Sequence, residues 1–165
     1  GTTNALRVLG FKAGAVTFIG DILKGVVSFI IARWLFPDMG ILAGIYACAG
    51  TILGHDFPFY LHFKGGKGIA ATIGLVLCIG FTESMPLMLI SFIIGIVAVA
   101  MSGYISLGSM LFSIAIPVCA FFFQLPLEGA LVLTALTILA LWKHRANIGR
   151  LRAGNENKFT LTKKV

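Results

Sequence analysis

The sequence predicts an all-α, polytopic membrane helix bundle of about six spans, and three observations carry that expectation. Apolar residues make up 58% of the 165-residue chain and charged residues only 12%, which leaves too little polar surface to cover a soluble domain. Mean hydropathy is +0.99, outside the range of ordinary soluble domains. Apolar runs are separated by short polar segments, and the charges in those segments sort by sign.

Taken in order, the first span covers about 14 to 35 and ends at the turn "FPD" around Pro37. The second, about 41 to 54, stops where His55 and Asp56 open a polar loop. The third, about 69 to 82, begins after a glycine cluster and ends before "ESMP". Proline suits the first turn of a helix, so Pro86 opens the fourth span, about 86 to 101. The segment "SGYISLGS" then divides an otherwise continuous apolar stretch; its glycines suit a re-entry turn, and the fifth span follows at about 109 to 123. After "LPLE" and Pro126 comes the sixth, about 127 to 142. Several of these runs fall short of the ~20 residues that cross a hydrocarbon core, so neighbours or a thinned bilayer must shelter some ends.

Six spans place Arg7, Lys12, Lys64, Lys67, Lys143, Arg145, Arg150, Arg152, Lys158, Lys163 and Lys164 on one side. Asp38, Glu83 and Glu128 fall on the other, with Arg33 as the nearby cation. Cytoplasmic loops are enriched in Lys and Arg, so the basic side and both ends of this chain are expected to face the cytoplasm. Lys163 and Lys164 read as contacts to anionic lipid headgroups. Lipid and anionic small molecules are the expected partners, and no nucleic acid.

Cys48, Cys78 and Cys119 each sit alone in an apolar run and read as small core residues. The opening "GTTNALRVLGFKAG" has no signal-peptide pattern and looks cut from something longer. His55, Asp56 and His62 fit no strong metal-ligand spacing, so no metal is expected, and the first two read as braces of the loop.

The polar clusters gather on the basic side. In "FKGGKG", consecutive glycines let the backbone approach a ligand and turn successive N–H groups into one concavity suited to an anion. Lys67 adds a full charge, and the helix beginning near Ile69 aims its positive dipole end at the same place. The nucleotide-binding P-loop fits poorly, because it needs Gly at Leu61 and Ser or Thr at Gly68. A flexible structural turn is the plain alternative. Further on, a helix continuing past Trp142 places His144, Asn147, Ile148 and Leu151 on one inward stripe, with Arg145, Gly149 and Arg152 on another face. Ser106 or Ser109 is placed to donate a hydrogen bond to an anion held nearby.

With those residues in view, the chain resembles the bacterial acyl-phosphate:glycerol-3-phosphate acyltransferase family, known as PlsY. The resemblance rests on "GTTNALR", "DILKG", "GHDFPFYLHFKGGKGIAAT", "YISLGS" and "HRANIGRLRAGNENK", in order and across essentially the whole chain. It implies an integral inner-membrane enzyme that moves an acyl group from acyl phosphate to the 1-hydroxyl of glycerol 3-phosphate, giving lysophosphatidic acid and phosphate without a cofactor. It also implies a partner enzyme that supplies acyl phosphate.

Residue by residue, the resemblance assigns Lys67, His144, Asn147 and Ser106 to catalysis. Arg7 and Lys67 match phosphate-binding cations, and the Gly65, Gly66 and Gly68 amides match a loop holding the donor phosphate. Asn4, Lys64 and His55 join the substrate-binding set, and Glu156 matches a carboxylate that braces basic neighbours. Family members carry a Gly-Ser-Gly-Asn segment and one further span ahead of the place where this chain starts. Residues 1–165 are therefore expected to form one membrane-embedded acyltransferase domain, shortened at its N-terminus, with seven spans in an intact member. The His-x4-Asp motif of other acyltransferases is absent, since counting on from His55, His62 and His144 reaches Tyr60, Lys67 and Gly149. A transporter or channel for organic anions is the competing class; paired half-repeats and broken helices at mid-depth would favour it.

Overall fold

A computed structural model describes residues 1–159; the side chain of Arg7 and residues 160–165, Lys163 and Lys164 among them, lie outside the described residues. The long elements are helices α2 (Phe11–Leu35), α3 (Ile41–Asp56), α4 (Ile69–Thr82), α5 (Met85–Ser102), α6 (Ile105–Phe122) and α7 (Leu127–Lys143). Two short ones flank them, α1 (Thr2–Leu9) and α8 (Arg145–Arg152). The six long helices stand where the six apolar runs are. Helix α1 is a departure, because "GTTNALR" reads as a polar segment; Gly10, at φ +86°, turns the corner between α1 and α2.

Local chemistry sets the boundaries. Ser84 caps α5 by accepting from the Leu87 N–H at 3.4 Å, with Pro86 in the first turn. Gly103, left-handed at φ +77°, ends α5. The break to α6 is therefore shorter than "SGYISLGS" suggests, and Ser106 and Ser109 belong to the start of a helix rather than to a turn.

Helices α2, α5 and α6 are long and apolar enough to cross a membrane alone, and α7 with α8 passes the same test as a pair bent by 54°. By contrast α4 has 14 residues, about 21 Å of rise, and must rely on its neighbours. It gets them: α4 packs against α2, α3, α5 and α6, and Leu75, Val76 and Ile79 are fully buried. All three cysteines are buried in this core. The outer face of α2 instead exposes Val16, Ile19, Leu23, Val27, Ile30 and Trp34. An apolar exterior around an apolar centre is the pattern of a chain solvated by lipid.

The two ends differ as expected. Arg33 reaches Glu83 at 3.2 Å, and the Tyr46 hydroxyl donates to Glu128. At the opposite end α1, the loop after α3, the α5–α6 break and the α7–α8 bend converge.

Candidate active site

The glycine loop is built on the end of α3. The Gly65 N–H donates to the Asp56 carbonyl at 3.2 Å and the Gly66 N–H to the His55 carbonyl at 3.1 Å. A Cβ at Gly65 would stand 2.1 Å from that His55 oxygen, and one at Gly66 would stand 2.0 Å from His55 Nε2. These glycines are therefore small because the loop lies against His55, which braces it as expected. Their amides serve the protein rather than an anion, which corrects the expectation that both point into a phosphate cradle. The first-turn amides of α4, Ile69 to Ala71, have no preceding turn to satisfy them, and the buried Asp56 carboxylate lies by the same helix start, its Oδ1 3.3 Å from where a Cβ on Gly68 would stand. Gly68 starts that helix at φ +68°, with the space for a side chain taken by Ile52 Cγ2 at 2.7 Å.

Lys67 joins a network drawn from four separate segments. Its Nζ donates to Asn147 Oδ1 at 2.5 Å, and Asn147 Nδ2 donates to Glu156 Oε1 at 2.8 Å. Ser106 Oγ donates to the same Glu156 oxygen at 3.2 Å, and Arg150 Nε donates to Oε2 at 2.7 Å. Glu156 is the hub. Burial pushes its pKa up, but the hydrogen bonds from Asn147, Arg150 and Ser106 and the charge of Arg150 outweigh burial and hold it below the usual value. It is ionised at neutral pH and pairs with Arg150.

The bend after α7 turns His144 and Asn147 inward; they are 2% and 6% exposed. Arg145, Gly149 and Arg152 are exposed, as the helical stripe predicts. His144 Nδ1 lies 2.7 Å from the Ala140 carbonyl. A carbonyl only accepts, so Nδ1 carries the proton and Nε2 is left as an acceptor. Burial above all drives the His144 pKa down to about 4; the bond to Ala140 raises it, the charge of Lys67 lowers it and that of Glu156 raises it.

A stability prediction follows. The unfolded chain takes up this proton near the ordinary value of about 6.5, whereas the folded chain resists it until about 4. Stability held above 6.5 should thus be lost as pH falls through that window. Melting temperature measured across pH 7 to 4.5 should fall less steeply for His144→Gln than for the parent; equal slopes would exclude His144 as the source.

Beside this network lies a cleft of about 630 Å³ bordered by Asn4, Lys24, His55, Lys64, Gly65 and Gly66. Lys24 Nζ stands 2.6 Å from both Asp21 Oδ1 and His55 Nδ1. An ammonium only donates, so His55 Nδ1 holds its lone pair toward Lys24, and its 3.3 Å approach to Asp21 is not a hydrogen bond. Lys24 and Asp21 lie in "DILKG", one of the stretches that carry the resemblance, but were not among the candidate site residues. The available signal is that they are charges inside an apolar span, where such residues mark functional sites.

The candidate residues thus fall into two adjoining groups. Asn4, His55, Lys64, Gly65 and Gly66 border the cleft, while Lys67, Ser106, His144, Asn147 and Glu156 form or flank the network, with the peptide from Gly66 to Lys67 joining them. Arg7 lies on α1, which also carries Asn4. Among the described residues no three His, Cys, Asp or Glu side chains are grouped to hold a metal.

Comparison with known proteins narrows the chemistry. Residues 1–154 match the family model described as glycerol-3-phosphate acyltransferase. The glycerol-3-phosphate acyltransferase of Shouchella clausii (strain KSM-K16) is 41% identical over 167 residues, covering 96% of this chain and 78% of the relative. That of Alkaliphilus metalliredigens (strain QYMF) is 42% identical over 161 residues, covering 96% and 77%. Crystal structures of PlsY (YgiH), an integral membrane glycerol 3-phosphate acyltransferase, align at 32% identity over 97% of this chain. The glycerol 3-phosphate form has a TM-score of 0.85 and covers 78% of that protein; the lysophosphatidic acid form has 0.84 and covers 79%. The all-helical membrane bundle described above, carrying these sequence matches along nearly its full length, belongs to the PlsY family of glycerol-3-phosphate acyltransferases.

Proposed function

We propose that this chain transfers a fatty acyl group from acyl phosphate to the 1-hydroxyl of glycerol 3-phosphate, releasing lysophosphatidic acid and phosphate. The observation that carries the reading is the pair of basic, hydrogen-bonding groups on either side of one glycine loop, Lys24 and Lys64 at the cleft and Lys67 in the adjoining network. Two anionic reactants need two such places within reach of each other. The glycerol 3-phosphate and lysophosphatidic acid forms of the PlsY structures agree with that acceptor and product.

Acyl phosphate is a mixed anhydride and needs no covalent enzyme intermediate; holding it beside the acceptor and neutralising its charge supplies the acceleration. Lys67 and the first-turn amides of α4 hold the donor phosphate. The acceptor hydroxyl adds to the acyl carbonyl, the carbon–oxygen bond to phosphate breaks, and the hydroxyl proton leaves with phosphate. A histidine with a pKa near 4 is a weak base at neutral pH, so His144 Nε2 orients the hydroxyl by accepting its hydrogen bond. Residues 1–165 act as one acyltransferase domain in a bacterial inner membrane, with the basic end toward the cytoplasm, and another enzyme supplies acyl phosphate from that side.

Purified protein in lipid, given palmitoyl phosphate, should release phosphate only when glycerol 3-phosphate is present, with lysophosphatidic acid formed in equal amount. Folded protein that binds glycerol 3-phosphate without releasing phosphate would overturn the donor assignment and favour transport.

A further inference from the structure

The loop between α3 and α4 carries a feature that the acyl-transfer reading does not use. Phe59, Tyr60, Leu61 and Phe63 are 79%, 71%, 51% and 64% exposed, next to one another, at the basic end of the bundle. So large a run of apolar surface calls for an occupant. Water is a poor one, and the loop is built for a drier neighbour. The N–H groups of Leu61 and Phe63 both donate to the Pro58 carbonyl, that of His62 to Phe59 and that of Lys64 to Leu61, at 3.0 to 3.2 Å. With the amides of Gly65 and Gly66 also bound to α3, six consecutive N–H groups are satisfied inside the protein. Pairing these donors inside the protein lowers the cost of moving the loop from bulk water to the still-hydrated headgroup level.

Its surroundings set the depth. Phe57, at the start of the loop, packs on the half-exposed Trp142 at the end of α7, with ring centroids 6.3 Å apart. Lys143 Nζ lies 4.4 Å from the Phe57 ring and donates to the Asp56 carbonyl at 2.7 Å, and the Arg145 guanidinium lies 4.1 Å from the Trp142 ring. Aromatic rings interleaved with Lys and Arg at helix ends belong to the headgroup level of a bilayer. Leu53 near the end of α3 and Trp142 at the end of α7 are also exposed, and such residues face lipid in a chain of this kind. Lys64, Lys143 and Arg145 complement anionic phosphate groups there.

We propose that residues 59–63 lie in the headgroup–acyl boundary of the same bilayer that the helices cross, with phospholipid as their occupant. The loop is then a lateral anchor. Its Tyr60 and Leu61 also border the cleft, so an anchored loop sets the cleft opening at the lipid surface instead of in bulk water. That consequence rests on the acyl-transfer reading; the anchoring does not.

The test reads depth, not activity. Phe59→Cys, Phe63→Cys and, as a water-facing reference, Asn155→Cys are each labelled with a nitroxide in the full chain in phosphatidylglycerol-containing nanodiscs; the native cysteines are buried. Collision rates with oxygen and with a water-soluble nickel complex are compared at each site. At 59 and 63 the oxygen-to-nickel ratio should exceed that at 155 severalfold. Ratios matching position 155 would overturn the proposal by placing the loop in water, free to dock a soluble partner. Low collision with both reagents would also overturn it, by showing the loop covered by protein.

Discussion

Replacing Lys67 by alanine should lower kcat/KM for acyl transfer about a thousandfold while the protein still inserts and folds. One positioned donor at a developing charge is worth roughly 10²–10³ in rate, and Lys67 supplies a full charge where a phosphate is to be held. A thousandfold corresponds to about 4 kcal/mol of transition-state stabilisation. The substitution also leaves Asn147 Oδ1 without the donor now 2.5 Å away, which loosens a side chain that is 6% exposed. Lys67→Arg should fall between the two, since it keeps the charge but presents a planar fork to a place built for a compact ammonium. Initial rates of phosphate release, with protein folding checked by elution and melting temperature, decide the matter. If Lys67→Ala runs within threefold of the parent, Lys67 does not hold the donor phosphate.

The second large effect is expected in the helix packing that supports the site. Helices α2 and α4 touch backbone to backbone through two facing glycines. A Cβ on Gly74 would come 2.4 Å from the Ile22 carbonyl oxygen, and one on Gly25 would come 2.6 Å from that of Ala71. Small residues permit this approach, and dispersion across it is a main source of helix association in lipid. Gly74→Ala should cost roughly 1–3 kcal/mol through overpacking, seen as a melting temperature lower by roughly 2–12 °C, and Gly74→Leu should yield no folded protein. Gly50→Ala is the control, because a Cβ there meets nothing within 4 Å; it should be neutral or slightly stabilising. Equal melting temperatures for Gly74→Ala and Gly50→Ala would refute the close contact. Activity should fall with the packing, since α2 carries Lys24 and α4 opens at the glycine loop, and displacements near 1 Å can cost a hundredfold.

How much was legible in advance varies with the kind of signal. The long helices were readable because lipid demands continuous apolar runs, and the inward stripe of His144 and Asn147 was readable because helical periodicity survives the bend at His144. The α1 helix was not, since "TTNALRVL" is too short and polar to stand out from a loop. Lys24 was quoted within "DILKG" but given no role, because attention to loop charges hides a charge within a span, although its position there is itself a signal.

What sequence alone determined is the class of molecule and the residue types near the chemistry. Composition requires lipid as solvent, charge asymmetry sorts the ends, and "FKGGKG" with "HRAN" names groups that suit an anionic substrate. Only the tertiary structure decided which atoms remain available to that substrate. Gly65 and Gly66 look like phosphate ligands in the linear chain, yet their amides are used by the carbonyls of Asp56 and His55. Glu156 reads in the linear chain as a brace for basic neighbours, and only the fold shows that it ties Ser106 and Asn147 to Arg150 as well. A sequence shows which donors and acceptors exist; which of them are already satisfied depends on contacts between residues as much as 87 positions apart, and those form only on folding.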